Sequence, residues 1–222
     1  FKRNYYKALE YKCRDDETKG LDNEFTLELQ KVFVPLKIAA NSAINTKQDI
    51  IPRSQNQSPA DTTIWDFLAA NNKKLVILGR PGSGKTTLLR HLTLIYATKQ
   101  QQSINSKAPK LIPVLFYLRE IRDEIINNKN LQLYELIEQQ IKNLRINHQN
   151  LIPPSNWVKD KLQQNQFIIM LDGLDEVADK IQRQQVRTWV DSQIQNYQDT
   201  VFILTSRPNG YRQVQSHVAV DE

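Results

Sequence analysis

Between residues 75 and 87 the chain reads LVILGRPGSGKTT, an apolar run that enters Gly79, passes four residues and closes on Gly84-Lys85-Thr86. That spacing builds a cradle for phosphate groups. Glycines let the backbone turn with positive φ and bring its own N–H groups against an anion with no Cβ in the way. The cradle is expected to comprise Gly79, Arg80, Pro81, Gly82, Ser83, Gly84, Lys85, Thr86 and Thr87. A helix starting at about Lys85, with Leu88, Leu89, Leu92 and Ile95 on its apolar face, aims its free N–H groups and dipole at the same point. In such a string the lysine reaches the β and γ phosphates of a nucleotide and the threonine hydroxyl ligates Mg²⁺. Three of the six glycines of the chain lie in this loop, so conformational freedom is concentrated where an anion would need it.

A second constellation follows in FIIMLDGLDE, residues 167–176. A carboxylate at the C-terminal end of a buried strand stands where an open α/β sheet presents its ligand chemistry. Asp172 is expected to hold Mg²⁺, directly or through water, opposite Thr86. Asp175 and Glu176 come one turn onward, where a water attacking the γ phosphate would be oriented; alternatively, one of them caps the next helix. Three acids this close repel one another unless a cation neutralises them. The next apolar run, VFILT, ends in Thr205-Ser206-Arg207-Pro208. Beside the Asp172 strand, the Arg207 guanidinium would touch the γ phosphate and report its presence, because it gains most from the extra charge of a triphosphate.

These groups need a scaffold. At 222 residues the chain can bury the core of one α/β domain plus a small appendage. Buried strands are expected at 75–78, 111–118, 167–171 and 201–205, and helices at about 62–71 (capped by Asp61 or Thr62), 131–145, from near 155, and 180–197. The last helix is expected to turn Ile181, Val186, Trp189, Val190 and Ile194 to one side. Strands separated by helices mean a parallel sheet covered on both faces. Ahead of this alternation, charge-rich helical text opens the chain, FTLELQKVFVPLKI at 25–38 reads as extended, and residues 41–60 read as an exposed loop. HVAVDE at 217–222 resembles the start of another strand. The division that follows is an N-terminal segment and linker at 1–60 and a nucleotide-binding domain at 61–222.

Composition excludes several classes. One cysteine, Cys13, permits no internal disulfide, and no Cys/His cluster has metal-ligand spacing, which suits a reducing, cytoplasmic setting. His91, His148 and His217 share no partner pattern. No apolar run approaches the roughly 20 residues of a membrane span. The chain opens on Phe1 and is expected to be a fragment. The formal charge of +6 invites a nucleic-acid reading, but Lys and Arg are interleaved with acids, as in YKCRDDETK at 11–19, instead of forming a stripe. Thr46-Lys47-Gln48-Asp49 spells a guanine-reading string, yet it precedes the phosphate loop and lies in linker text.

Taken in order, the phosphate loop, Asp172-Gly173-Leu174-Asp175-Glu176 and the TSRP string resemble the NACHT family of signal-transducing P-loop ATPases, a STAND branch of the AAA-like NTPases. The distinguishing mark is the small residue after the metal-binding Asp, followed by two more acidic positions. FVPLKI at 33–38 resembles the segment ahead of the module in bacterial, especially cyanobacterial, members. The resemblance implies a three-layer α/β sandwich with parallel strand order 5-1-4-3-2, ATP/ADP and Mg²⁺ as ligands, and a lid and winged-helix region after residue 222. It also implies a slowly hydrolysing switch whose nucleotide state governs self-association, with a link to defence in bacteria. The competing readings are a nucleic-acid-coupled ATPase such as a helicase loader, and a P-loop kinase, which would need an Arg-rich lid and an acceptor pocket.

Overall fold

Runs of five or six apolar residues are too short for buried helices, and their side chains alternate between two faces. They therefore form strands that need cover on both sides. The computed structural model describes residues 1–15 and 63–214. In chain order the elements begin with α1 (Lys2–Asp15), α2 (Ile64–Ala69), β1 (Lys74–Leu78), α3 (Lys85–Ala97), α4 (Gln101–Ile104), β2 (Ile112–Tyr117), α5 (Leu118–Asn127) and α6 (Leu133–Asn143). There follow the short strands β3 (Arg145–Ile146) and β4 (Gln149–Asn150), α7 (Trp157–Gln163), β5 (Phe167–Asp172), a 3-10 turn (Leu174–Glu176), α8 (Lys180–Asn196), β6 (Val201–Ser206) and α9 (Pro208–Arg212).

The main sheet is parallel, in the order β1-β6-β5-β2. One face packs Leu75, Ile77, Ile168, Met170 and Ile203 against Leu89 and Leu92 of α3 and Trp65 of α2. The other packs Val76, Val114, Ile169, Phe202 and Leu204 against Leu136 and Ile137 of α6, Val158 of α7 and Val190 of α8. This is the expected three-layer sandwich. The strand expected at 217–222, the extended run at 25–38 and the loop at 41–60 fall outside the described residues.

The edge strand β2 is capped. Ile112 N donates inward to Gln166 O at 2.7 Å, so residues 113 and 115 turn outward. Pro113 has no N–H to offer, its carbonyl accepts from Tyr5 Oη at 2.7 Å, and the Leu115 carbonyl accepts from Gln140 Nε2. A further strand finds little to pair with there. Tyr5, Tyr6, Ala8 and Leu9 of α1 are all buried in the main core.

Two expectations need correction. The cap of α2 is Thr63, not Asp61 or Thr62: its N–H donates to Asp66 Oδ2 at 2.7 Å, which also holds the Asp66 carboxyl below its ordinary range. Ile181 is 72 % exposed, because it lies in the first turn of α8 before the helix reaches the core that buries Val186, Trp189, Val190 and Ile194. Helix α5 was not foreseen, since an apolar strand runs into it without a break and only Leu118 and Ile125 of it are buried.

Lys74, the first residue of β1, donates from Nζ to Thr200 O at 2.8 Å and Tyr197 O at 3.1 Å, with the Phe202 ring 4.7 Å away. Burial lowers its pKa from 10.5 to about 8, against the opposing pull of Asp199. Between those values the unfolded chain holds a proton that the folded chain has released, so stability rises with pH across the window. Burial of Tyr5, Tyr6 and Tyr96 raises their pKa values from 10.0, so stability falls again above that pH. Urea midpoints should therefore climb from about pH 8 to about pH 10, and Lys74→Met should flatten the climb. An unchanged slope in the variant would assign the effect to other groups.

Candidate functional site

The phosphate loop hangs from the C-terminal end of β1. Gly79 N donates to Ser206 O of the neighbouring strand at 3.2 Å, and Ser83 N to Arg80 O at 3.2 Å. A Cβ at Gly79 would lie 2.4 Å from Ser83 Oγ, so a larger residue there would have to turn the serine hydroxyl aside. Gly82 and Gly84 take φ of 74° and 83°, and Gly84 caps α3. Lys85 Nζ fills the centre of the curl, donating to Gly79 O at 2.8 Å, Arg80 O at 3.1 Å and Ser83 Oγ at 3.4 Å.

Because β6 lies between β1 and β5, three residues distant in sequence meet at one carboxylate. Asp172, 3 % exposed, accepts from Thr86 Oγ1 at 2.7 Å on Oδ2 and from Thr205 Oγ1 at 2.5 Å on Oδ1. Thr205 Oγ1 in turn accepts from Gly173 N at 2.9 Å. The carboxylate is thus locked at the strand end, and Thr86 and Asp172 present a hydroxyl and a carboxylate oxygen to the cleft. Such hard donors fit Mg²⁺, which takes one or two carboxylates and fills its remaining positions with water and phosphate. Among the described residues, no group of three His, Cys, Asp or Glu could hold a metal ion.

The other two acids point to different partners. Asp175 takes both arms of Arg207: its Oδ1 accepts from Arg207 N at 2.8 Å and its Oδ2 lies 2.8 Å from Arg207 Nε. Glu176 Oε2 lies 3.0 Å from Arg119 Nη1. Glu176 folds back over Gly173, where any Cβ would come within 2.9 Å of its Cδ. The repulsion expected among three carboxylates is therefore met by two guanidinium groups and two hydroxyls.

Together these groups line a cleft of about 270 Å³, bounded by Pro81 to Thr87 along the loop and by Asp172, Gly173, Asp175, Glu176, Thr205 and Arg207 opposite. Of the expected cradle, Gly79 and Arg80 are absent from this lining; their carbonyls face Lys85 instead. A larger cavity of about 480 Å³ at the β2 edge, between α1, α5 and α6, contains none of these groups. Residues 73–221, about two thirds of the chain, match the NACHT domain family. The chain belongs to it. NACHT domains are P-loop NTPases, so this is a nucleotide-binding protein of that class. No curated protein matches the chain. No helix among the described residues is long and apolar enough to cross a membrane.

Thr205 as the bridge to Asp172 and Arg119 as the partner of Glu176 were not read from the sequence. A hydroxyl at the end of a strand gives a weak signal, and Arg119 gives none, since it is only one basic residue among 30. Thr205→Val keeps the volume but removes both hydrogen bonds, leaving a buried carboxylate oxygen short of a donor. It should cost about 1–3 kcal/mol of unfolding free energy, which Thr205→Ser should largely restore. Equal denaturation midpoints for the valine and serine variants would show that the bridge does not hold Asp172.

Proposed function

We propose that this NACHT domain binds ATP with Mg²⁺ in the cleft between the phosphate loop and Asp172, hydrolyses it slowly, and acts as a nucleotide-controlled switch. One observation carries the reading: Thr86 and Asp172, 86 residues apart, are joined at 2.7 Å beside the glycine-rich loop. In this reading Lys85 leaves its loop carbonyls for the β and γ phosphates, while loop N–H groups and the N-terminus of α3 hold the oxygens. Thr86, with Asp172 directly or through water, would hold Mg²⁺, which would neutralise phosphate charge at the same place.

The pairings divide the work between the two remaining acids. Asp175, with both oxygens committed to Arg207, orients the guanidinium that touches the γ phosphate. Glu176, with one oxygen on Arg119 and the cleft before it, orients the attacking water. Slow turnover suits a carboxylate already engaged by a cation. Preference for adenine, self-association on activation and a part in bacterial defence rest on kinship with the family. They make the protein a signalling switch in preference to a polymer-driven motor. Its composition, with no basic stripe, supports the same choice.

Lys85→Ala should abolish nucleotide binding measured by calorimetry. Glu176→Gln should bind ATP as the parent does while hydrolysis falls by about 10²–10⁴. Arg207→Ala should narrow the preference for ATP over ADP. Parental turnover in Glu176→Gln would remove it as the water-orienting group, and many-fold stimulation by DNA or RNA would replace the switch with a motor.

A further inference from the structure

Arg187, on the second turn of α8, is 1 % exposed and is the bulkiest fully buried side chain among the described residues. Its Nε lies 3.0 Å from Asp191 Oδ1, one turn further along the same helix. A buried ion pair of this kind is often no more stabilising than apolar residues of equal volume, so stability alone gives no reason for it. Its contacts do. The guanidinium lies 4.7 Å over the Tyr211 ring, and Nη2 donates to Tyr211 Oη at 3.3 Å.

One turn earlier on the same face, Arg183 divides its three nitrogens among three partners. Nε donates to Val177 O at 2.8 Å, Nη2 to Ala178 O at 3.1 Å and Nη1 to Gln213 Oε1 at 2.8 Å. The first two partners directly follow Glu176. Tyr211 and Gln213 belong to α9 and the residue pair after it, the segment that opens with Arg207 at its cap. Five residues are too few to hold a helix by their own hydrogen bonds, so α9 takes its place from what it packs on. Its inner side presses on Asp175, where a Cβ on Gly210 would come within 2.4 Å of Asp175 Cβ. Tyr211 also packs against the main core, and the two arginines of α8 meet Tyr211 and Gln213.

We propose that Arg183 and Arg187 are positioning residues that seat α9 on α8 and thereby fix Arg207 over the phosphate cleft. The inference rests on Arg207 being the γ-phosphate contact. Arg183 grips both the segment after Glu176 and the residue after α9, so one guanidinium ties the water side of the site to the sensing side. Loss of the seat should leave the phosphate loop intact and blunt the reading of the third phosphate.

The test replaces the buried pair with apolar residues, Arg187→Met with Asp191→Leu, and measures ATP and ADP affinities together with kcat and KM. The double variant should bind ADP as the parent does, while its ATP-over-ADP ratio falls about tenfold, the loss of roughly one charge-assisted hydrogen bond. Adding Arg207→Ala should lower the ratio no further, because the two changes remove one interaction. Tyr211→Phe and the exposed Gln213→Ala, which leave the core intact, should shift the ratio the same way by less. A folded double variant whose ratio stays within about twofold of the parent, or whose effect adds to that of Arg207→Ala, overturns the proposal. If the double variant does not fold, parental ratios in both Tyr211→Phe and Gln213→Ala overturn it. A parental ratio in Arg207→Ala alone instead overturns the reading of Arg207, whatever α8 does.

Discussion

The site depends on one buried carboxylate. Asp172, almost without solvent at the end of β5, would leave its buried oxygens unsatisfied unless donors surrounded it, and the sheet order supplies them. With β6 between β1 and β5, the strand ends deliver Thr205 to one oxygen and the loop after β1 delivers Thr86 to the other. Moving β6 to the far side of β1 would leave Thr205 two strands away from Asp172. Topology and electrostatics are the same constraint seen twice, and the phosphate cleft is the space left open beside it.

The glycines show how the backbone serves that constraint. Gly79 permits the loop to curl onto Ser83, and Gly173 permits Glu176 to lie back across the end of β5. Gly210 lets α9 press directly on Asp175. Of these, Gly210 marks the approach that a Cβ would block, since it faces Asp175 Cβ and Cα, whereas at Gly79 and Gly173 a side-chain end would have to move. Each of these contacts touches a member of the site.

Much of this was legible in the sequence because the signals are local. The phosphate loop is a contiguous string whose glycines and lysine have a single geometric use. The strands showed themselves as short apolar runs, and Asp172 as the acid that ends one of them. What escaped is non-local or short. α5 begins where β2 ends, so the apolar text shows no boundary, and Ile181 matches the helical period while lying one turn short of the core. Which acid meets which cation could not be read at all. Asp175 and Glu176 are adjacent, yet their partners come from the cap of α9 and from α5, 32 and 57 residues away.

That separation of partners gives the two acids different surroundings. A carboxylate gripped at both oxygens by a backbone N–H and a guanidinium keeps few lone pairs for a water, whereas one held at a single oxygen keeps the other. Asp175 is in the first state and Glu176 in the second. Burial agrees with this: the Asp175 side chain is 9 % exposed, against 34 % for Glu176, so water reaches the glutamate more readily. Two acids that look interchangeable as text become an anchor for a cation and a candidate base, and the difference arises entirely from the elements that fold against them.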